Sequence, residues 1–382
     1  MNPQSRSTHK TDFSVQTIGA THKYMLYDYL QIPGGAERLA LDFISGFPDF
    51  ELVVSRTFPD ALSLEQLGEI NVRNLGSAAT RPLGRISEAI LSFVYFTRFL
   101  ENAEIVIYSG FYAPFAVSKQ KHGRRLYYCH TPPRFAYDWR DRYLDKVPKI
   151  IRPFAAAAIN LLRQRYETSL AQMDEIIANS ENVRRRLKRF LNVDAVVIHP
   201  PIDTERFKWI DQGDYFLSLA RLVPYKRVDL IVKAFCAMPD QKLVVASGGT
   251  QEAYLRELAK GASNIFFTGW KSDRELREII GKARATIYLP HDEDFGMSPV
   301  ESMSAGKPVI GVAEGGLLET VVHDQTGKLI DPMPAPEAIA DAVNWFTPER
   351  AIGMRQNCEA RAALFSKNVF FDRMRDILEK RG

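Results

Sequence analysis

A chain of 382 residues with 46% apolar content has enough material for more than one core, so disorder is excluded and two domains are favoured over one. No run of eighteen apolar residues occurs, and the polar start MNPQSRSTHKTDFSVQ lacks a secretion signal, so a spanning helix is excluded and a cytoplasmic location is expected. The net charge is only +4, and the odd, isolated Cys129, Cys236 and Cys358 argue against a disulfide framework or a zinc cluster.

Taken in chain order, a polar extension before Lys23 leads into apolar strand candidates that alternate with amphipathic segments. KYMLYDYL, FELVVSR, AEIVIYSG, RLYYCH and DEIIANS fall in the first half; DYFLSLA, KLVVASGG, NIFFTG, ATIYLP and KPVIGV fall in the second. That rhythm predicts an α/β protein with parallel sheets and crossover helices, built as two doubly wound, Rossmann-like domains. The turn-rich His199-Pro200-Pro201-Ile202-Asp203 divides residues 1–198 from 199–365, and the last helical stretch, 366–382, is expected to return to the first domain. A ligand belongs between the two, outside the carboxyl ends of the strands.

Along the first domain, Pro33-Gly34-Gly35 sits between a strand and a helix, where backbone without Cβ atoms approaches a phosphate or sugar closely. The aromatic stretch 86–100 reads first as a core helix and second as a membrane-touching one. Residues 1–190 hold 26 Lys/Arg against 19 Asp/Glu. The basic clusters Lys119–Arg125 and Arg184–Arg189 read as solvated helix faces, with an anionic bilayer or a pyrophosphate-bearing acceptor as the sharper alternative. No nucleic-acid signature exists beyond this charge, so nucleic acid is not an expected partner. His130 ends a strand and is followed by the rigid Thr131-Pro132-Pro133, which fixes its ring at the mouth of a cleft, there to bond a sugar hydroxyl.

In the second domain, Arg221 and Lys226 share a βα loop and can face one anion. A sugar diphosphate gains negative charge as its glycosidic bond breaks, so fixed cations there favour the transition state. Glu293 and Glu301 then flank the turn Phe295-Gly296-Met297, with Ser298 as expected N-cap and Pro299 as first helical residue, so that free N–H groups meet a phosphate and both carboxylates meet hydroxyls. Ser298-x-x-Glu301 also fits a capping box, which would turn Glu301 back on its own helix. Asp292-x-Asp294 resembles a pair that chelates a divalent metal under a diphosphate in a different fold, yet Arg221 and Lys226 can neutralise a diphosphate, and no metal or other cofactor is expected. The absence of G-x-G-x-x-G and of a G-x-x-x-x-G-K-[ST] loop counts against a dehydrogenase and a P-loop NTPase.

Together these residues resemble the retaining glycosyltransferases of family GT4, with their two-domain GT-B fold. The Glu-x7-Glu element matches Glu293 to Glu301, the Arg and Lys pair matches Arg221 and Lys226, the glycine loop matches Gly34-Gly35, and the first-domain histidine matches His130. IANS at 177–180, Pro200 to Asp203, and Gly315-Gly316 with Glu319 add to the likeness. The resemblance implies that Glu293 contacts the donor sugar, Glu301 the ribose, Arg221 and Lys226 the diphosphate, and the backbone of Phe295, Gly296, Met297 and Ser298 the sugar or phosphate. It places the base near Phe267 to Trp270, which makes Gly269 and Trp270 binding residues. Within the family, HTPPRFAYD and EDFGMSPVESMSAGKP are closest to bacterial enzymes that move mannose from GDP-mannose onto a polyprenyl-diphosphate-linked saccharide for lipopolysaccharide or exopolysaccharide, peripheral on the inner face of the cytoplasmic membrane. GDP-rhamnose or UDP-sugar donors, or a nucleotide-sugar epimerase of the same fold, are the alternatives.

Overall fold

The computed structural model describes residues 22–31, 34–58, 70, 72–76 and 82–380, so the polar extension through Thr21, and Pro33 of the glycine loop, lie outside the described residues. Two wholly parallel sheets are formed. The first runs in the order β3-β2-β1-β4-β5-β6-β7, with β1 Lys23–Tyr27, β2 Glu51–Val54, β3 Val72–Asn74, β4 Ile105–Ser109, β5 Arg124–Cys129, β6 Glu175–Ala178 and β7 Val196–Val197. The second runs β10-β9-β8-β11-β12-β13, with β8 Tyr215–Ser218, β9 Lys242–Val245, β10 Ile265–Phe267, β11 Ala285–Tyr288, β12 Val309–Val312 and β13 Gly327–Ile330. These are the two doubly wound, Rossmann-like units of the α/β expectation. The ten strand candidates appear, joined by the short β3, β7 and β13.

Period-two alternation explains how the first sheet is buried on both faces. Leu26, Val53, Val106 and Tyr127 pack on one side with Phe93, Phe115, Tyr166 and Leu170, while Met25, Leu52, Ile107 and Leu126 pack on the other with Leu39 and Phe43. The helix Lys367–Glu379 adds Phe370, Met374 and Ile377 to that second side, so the end of the chain lies against the first sheet. Its path is fixed where the two crossovers meet: Ile202 N donates to Phe365 O at 3.0 Å and Lys367 N donates to Ile202 O at 3.1 Å.

Helix Pro82–Tyr95 buries Ala89 and Phe93, as a core helix should, yet it leaves Leu91, Tyr95 and the following Phe96 exposed. The basic clusters are less solvated than expected. Arg124 Nη1 donates to Ile377 O and Leu378 O at the end of the last helix, and Arg186 is buried, because these guanidiniums close contacts between segments.

Both sheet orders reverse beside their first strand, between β1 and β4 and between β8 and β11. Loops leaving those strands diverge and leave a crevice at the carboxyl edge, where such sheets hold ligands.

Candidate active site

A cleft of about 540 Å³ lies between the two sheets, and twelve of the thirteen residues singled out above line it: Gly34, Gly35, His130, Arg221, Lys226, Trp270, Glu293, Phe295, Gly296, Met297, Ser298 and Glu301. Gly269 is not in the lining. It occupies a left-handed position, φ 68°, just after β10, where it turns the chain so that Trp270 faces the cleft with 70% of its surface exposed. An exposed indole at the rim is a stacking surface for a base.

Lys226 closes the short 3-10 turn Pro224–Lys226 after β8, which aims its side chain at the end of β11. Its Nζ donates to Tyr288 Oη at 2.7 Å and to Glu293 Oε2 at 2.5 Å, and Tyr288 Oη donates to the same carboxylate oxygen at 3.1 Å. Burial disfavours the ammonium, but Tyr288 and Glu293 outweigh it and hold its pKa above the usual lysine value. Burial drives the Tyr288 phenol upward, so it stays protonated. Arg221 is exposed on the cleft wall, and no carboxylate is within ion-pair distance of it among the described residues. The cleft therefore presents one uncommitted guanidinium and one ammonium shared with a carboxylate.

The loop carrying Glu293 is held from behind by backbone. Gly316 N donates to Glu293 O at 2.8 Å, and a Cβ at Gly316 would come within 2.4 Å of Phe295 Cα, so only glycine permits this packing. Asn182 Nδ2 of the first domain donates to the same Glu293 O at 2.9 Å. On either side Asp292 pairs with Arg134, and Asp294 pairs with Arg186 at 2.7 Å. These aspartates thus face arginines of the first domain. Phe295 turns its ring away from the cleft, 5.3 Å from the His199 ring and 5.4 Å from that of Phe365, and leaves its backbone to the site.

The next helix starts earlier than expected. Gly296 is its N-cap, at φ 90°, and the helix is Met297–Ser304, so Ser298 is not the cap and Pro299 is its third residue. Glycine enters the left-handed region without strain, which lets the chain turn into the helix two residues sooner. The capping box is thereby lost to Glu301, which lies too deep to reach the cap. Glu301 instead pairs with Arg38 of the helix Gly35–Gly46 at 2.8 Å across the cleft, with Arg206 at 4.0 Å.

Gly35 confirms how close the domains come: a Cβ there would lie 2.7 Å from Met297 Sδ. His130 follows β5, its Nε2 2.8 Å from Ser109 Oγ, with Asn179 Nδ2 donating to its backbone oxygen at 2.9 Å. Burial pushes its pKa down to about 4, so the ring is neutral at pH 7.

This arrangement can hold a diphosphate against Arg221 and Lys226, two sets of hydroxyls against Glu293 and Glu301, and a base against Trp270. Two family models cover it. Glycosyltransferase Family 4 matches residues 33–206 and Glycosyl transferases group 1 matches residues 201–365, one for each half of the cleft. The chain belongs to the GT4-type glycosyltransferases. The alpha-1,3/1,6-mannosyltransferase ALG2 of Mus musculus is 25% identical to this glycosyltransferase over 400 residues, covering 91% of this chain and 93% of that one. The same enzyme of Homo sapiens is 24% identical over 394 residues, covering 89% and 92%. In fold, this glycosyltransferase is similar to Anabaena Alr3699/HepE in complex with UDP and glucose, with a TM-score of 0.72 at 16% identity over 95% of this chain and 100% of that one. The GT-B fold expected from the sequence is the fold found.

Four cleft-supporting residues of this glycosyltransferase escape a motif reading: Tyr288, Arg38, Asn182 and Arg186. Tyr288 hides among the apolar residues of β11. Asn182 and Arg186, however, are four apart on the helix Glu181–Leu191 and share its buried face with Val183 and Leu187, so helical periodicity alone marks them as turned inward.

The neutral His130 gives a pH prediction for the enzyme. As pH falls below about 6.5 the unfolded chain protonates its histidine while the folded one does not until about pH 4, so this group removes stability progressively across that window, by at most about 3 kcal/mol. Asp28 and Asp294, whose carboxyls burial raises to about 6, act in the opposite sense over the same range. Comparison with His130→Asn cancels them: the wild type's stability relative to the variant, measured by urea unfolding, is expected to shrink between pH 6.5 and 4.

Proposed function

We propose that this glycosyltransferase moves mannose from GDP-mannose, with retention of configuration, onto a saccharide carried by a polyprenyl diphosphate lipid in bacterial surface polysaccharide synthesis. The observation that carries the reading is the convergence on one cleft of Arg221 and Lys226, from the loop after β8, with Glu293 and Glu301, from the loop after β11 and the helix it leads into. Support for the sugar comes from the mannosyltransferase relatives that span nearly the whole chain.

The Lys226–Glu293 pair gives the cleft a way to keep both charges in place before a donor arrives. On binding, the ammonium turns to the diphosphate and the carboxylate to sugar hydroxyls, while Tyr288 remains between them. As the glycosidic bond lengthens, charge builds on the departing phosphate oxygen, where Arg221 and Lys226 stabilise it. That oxygen accepts the acceptor hydroxyl's proton on the same face of the sugar, so no dedicated base is needed and the anomeric configuration is kept. His130, neutral, bonds a sugar hydroxyl without placing a second positive charge beside the cationic sugar ring. The arginines on Asp292 and Asp294, with Arg221 and Lys226 toward the diphosphate, favour transfer without a metal.

A thermal-shift screen of GDP-mannose, GDP-rhamnose, GDP-fucose and UDP-sugars tests the donor. GDP-mannose at a hundred times its Kd is expected to add about 2.7 kcal/mol and raise the melting temperature by several degrees. Silence toward every GDP compound with a response to a UDP-sugar would reverse the choice of base.

A further inference from the structure

We propose that residues 143–161 of the first domain form a docking surface for an anionic lipid bilayer. The helix Arg152–Leu170 is apolar on both faces along its first turns: Ala155, Ile159 and Leu162 are half-buried on the inward side, while Phe154, Ala157, Ala158 and Leu161, at the i, i+3, i+4, i+7 spacing of a second apolar stripe, are all exposed. Phe154 and Leu161 are 76% and 68% exposed, and Ile150 in the preceding turn is 84% exposed, with Ile151 and Tyr143 beside them. A cluster of this kind on a water-facing surface marks a site that is covered in use.

The rim of the cluster identifies the cover. Residues 140–165 contain seven Lys/Arg and two Asp. Both aspartates already lie beside arginines, Asp145 by Arg152 at 3.3 Å and Asp141 by Arg140 at 3.8 Å, whereas Lys146 and Lys149 are paired with no carboxylate among the described residues. An apolar face ringed by cations matches the boundary between acyl chains and anionic headgroups, with the lysine stems snorkelling outward. A second copy of this chain fits poorly, because a two-fold contact would press the same basic rim against itself.

The surface is tied to the cleft by the segment between them. From His130 in the cleft the chain runs to Arg134, which stacks on Trp139 at 3.8 Å and pairs with Asp292 beside Glu293; Trp139 lies 6.0 Å from the Tyr225 ring. Arg140, where the basic rim of the patch begins, follows at once. The exposed Leu91, Tyr95 and Phe96 belong to the same layer, since Phe93 and Tyr166 share one core cluster. For its purpose, presentation of a lipid-borne acceptor at the cleft mouth, the inference rests on the function proposed above; bilayer binding itself is read independently.

The test is flotation of the full chain with phosphatidylcholine vesicles with and without phosphatidylglycerol, alongside light scattering. Wild type is expected to float with the anionic vesicles and to release in high salt. Ile150→Asp with Phe154→Asp is expected to lower the partition coefficient by at least about tenfold, and Lys146→Glu with Lys149→Glu to abolish the phosphatidylglycerol dependence, while both variants keep the wild-type melting temperature. Wild type that stays with the aqueous phase, an aspartate variant that floats as wild type does, or a wild-type dimer that the aspartates make monomeric would each overturn the proposal. Vesicle binding without any response to GDP-mannose would sink the donor reading and leave this one standing.

Discussion

Lys226→Ala is expected to lower kcat by about a hundred- to a thousandfold, the range for losing one preorganised partner of a developing anion. The loss should appear in GDP affinity as well, because in the proposed reading the ammonium faces the phosphates in both substrate and product. Folding should survive. Glu293, which the lysine leaves behind, still accepts from Tyr288 Oη at 3.1 Å and is partly open to the cleft, so the cost in stability is on the order of 1–2 kcal/mol. Steady-state kinetics with a melting curve checks both halves. A variant with near wild-type turnover would remove Lys226 from the chemistry.

Glu293→Gln separates the proposed sugar contact from the proposed phosphate contact. Glutamine keeps the shape and an acceptor for Lys226 and Tyr288, but it cannot hold the sugar as a carboxylate does, and a fall in kcat of about ten- to a hundredfold is expected. GDP affinity should be unchanged or stronger, since the substitution removes the negative charge that holds Lys226 at 2.5 Å and leaves only a neutral acceptor in its place. Titration calorimetry with GDP alone reads that difference. Equal losses of turnover and GDP affinity would mean that the carboxylate serves the nucleotide rather than the sugar.

The contrast between these variants also shows what the amino-acid order made legible. Strands rich in Val, Ile and Tyr were visible because β-branched and aromatic runs are bounded by turns. β3, β7 and β13 were not, since Val72–Asn74 and Val196–Val197 are too short to alternate and Gly327–Ile330 is drawn into place by β12. Glu293, Lys226, Arg221 and His130 were readable because each follows a strand, where loops converge on the crevice. The Glu301 partner was not readable, for Arg38 reaches it from a helix more than 250 residues away, and such pairing is settled only once the two sheets face each other. Arg186 shows the opposite case. It looked like one cation in a solvated run, although its spacing from Asn182 put it on the inward face.

That inward face does more than stabilise. Arg134, Asn182 and Arg186 bring the first domain onto three consecutive residues of the second, Asp292, Glu293 and Asp294, and fix the loop that carries the Glu293 carboxylate. Ser180 Oγ donates to Asp294 O at 2.6 Å, and the Glu319 carboxylate accepts from Glu181 N and Asn182 N, each at 2.7 Å. The site is thus assembled by the contact between domains, not by either alone.

The most direct measurement is a crystal structure of the full chain with GDP-mannose. The account predicts the diphosphate against Arg221 and Lys226, the Lys226–Glu293 pair parted, the mannose against Glu293 and His130, and Glu301 turned from Arg38 to the ribose. A nucleotide sugar bound away from the cleft, or lying in it with its phosphates remote from both cations, would contradict the account at its centre.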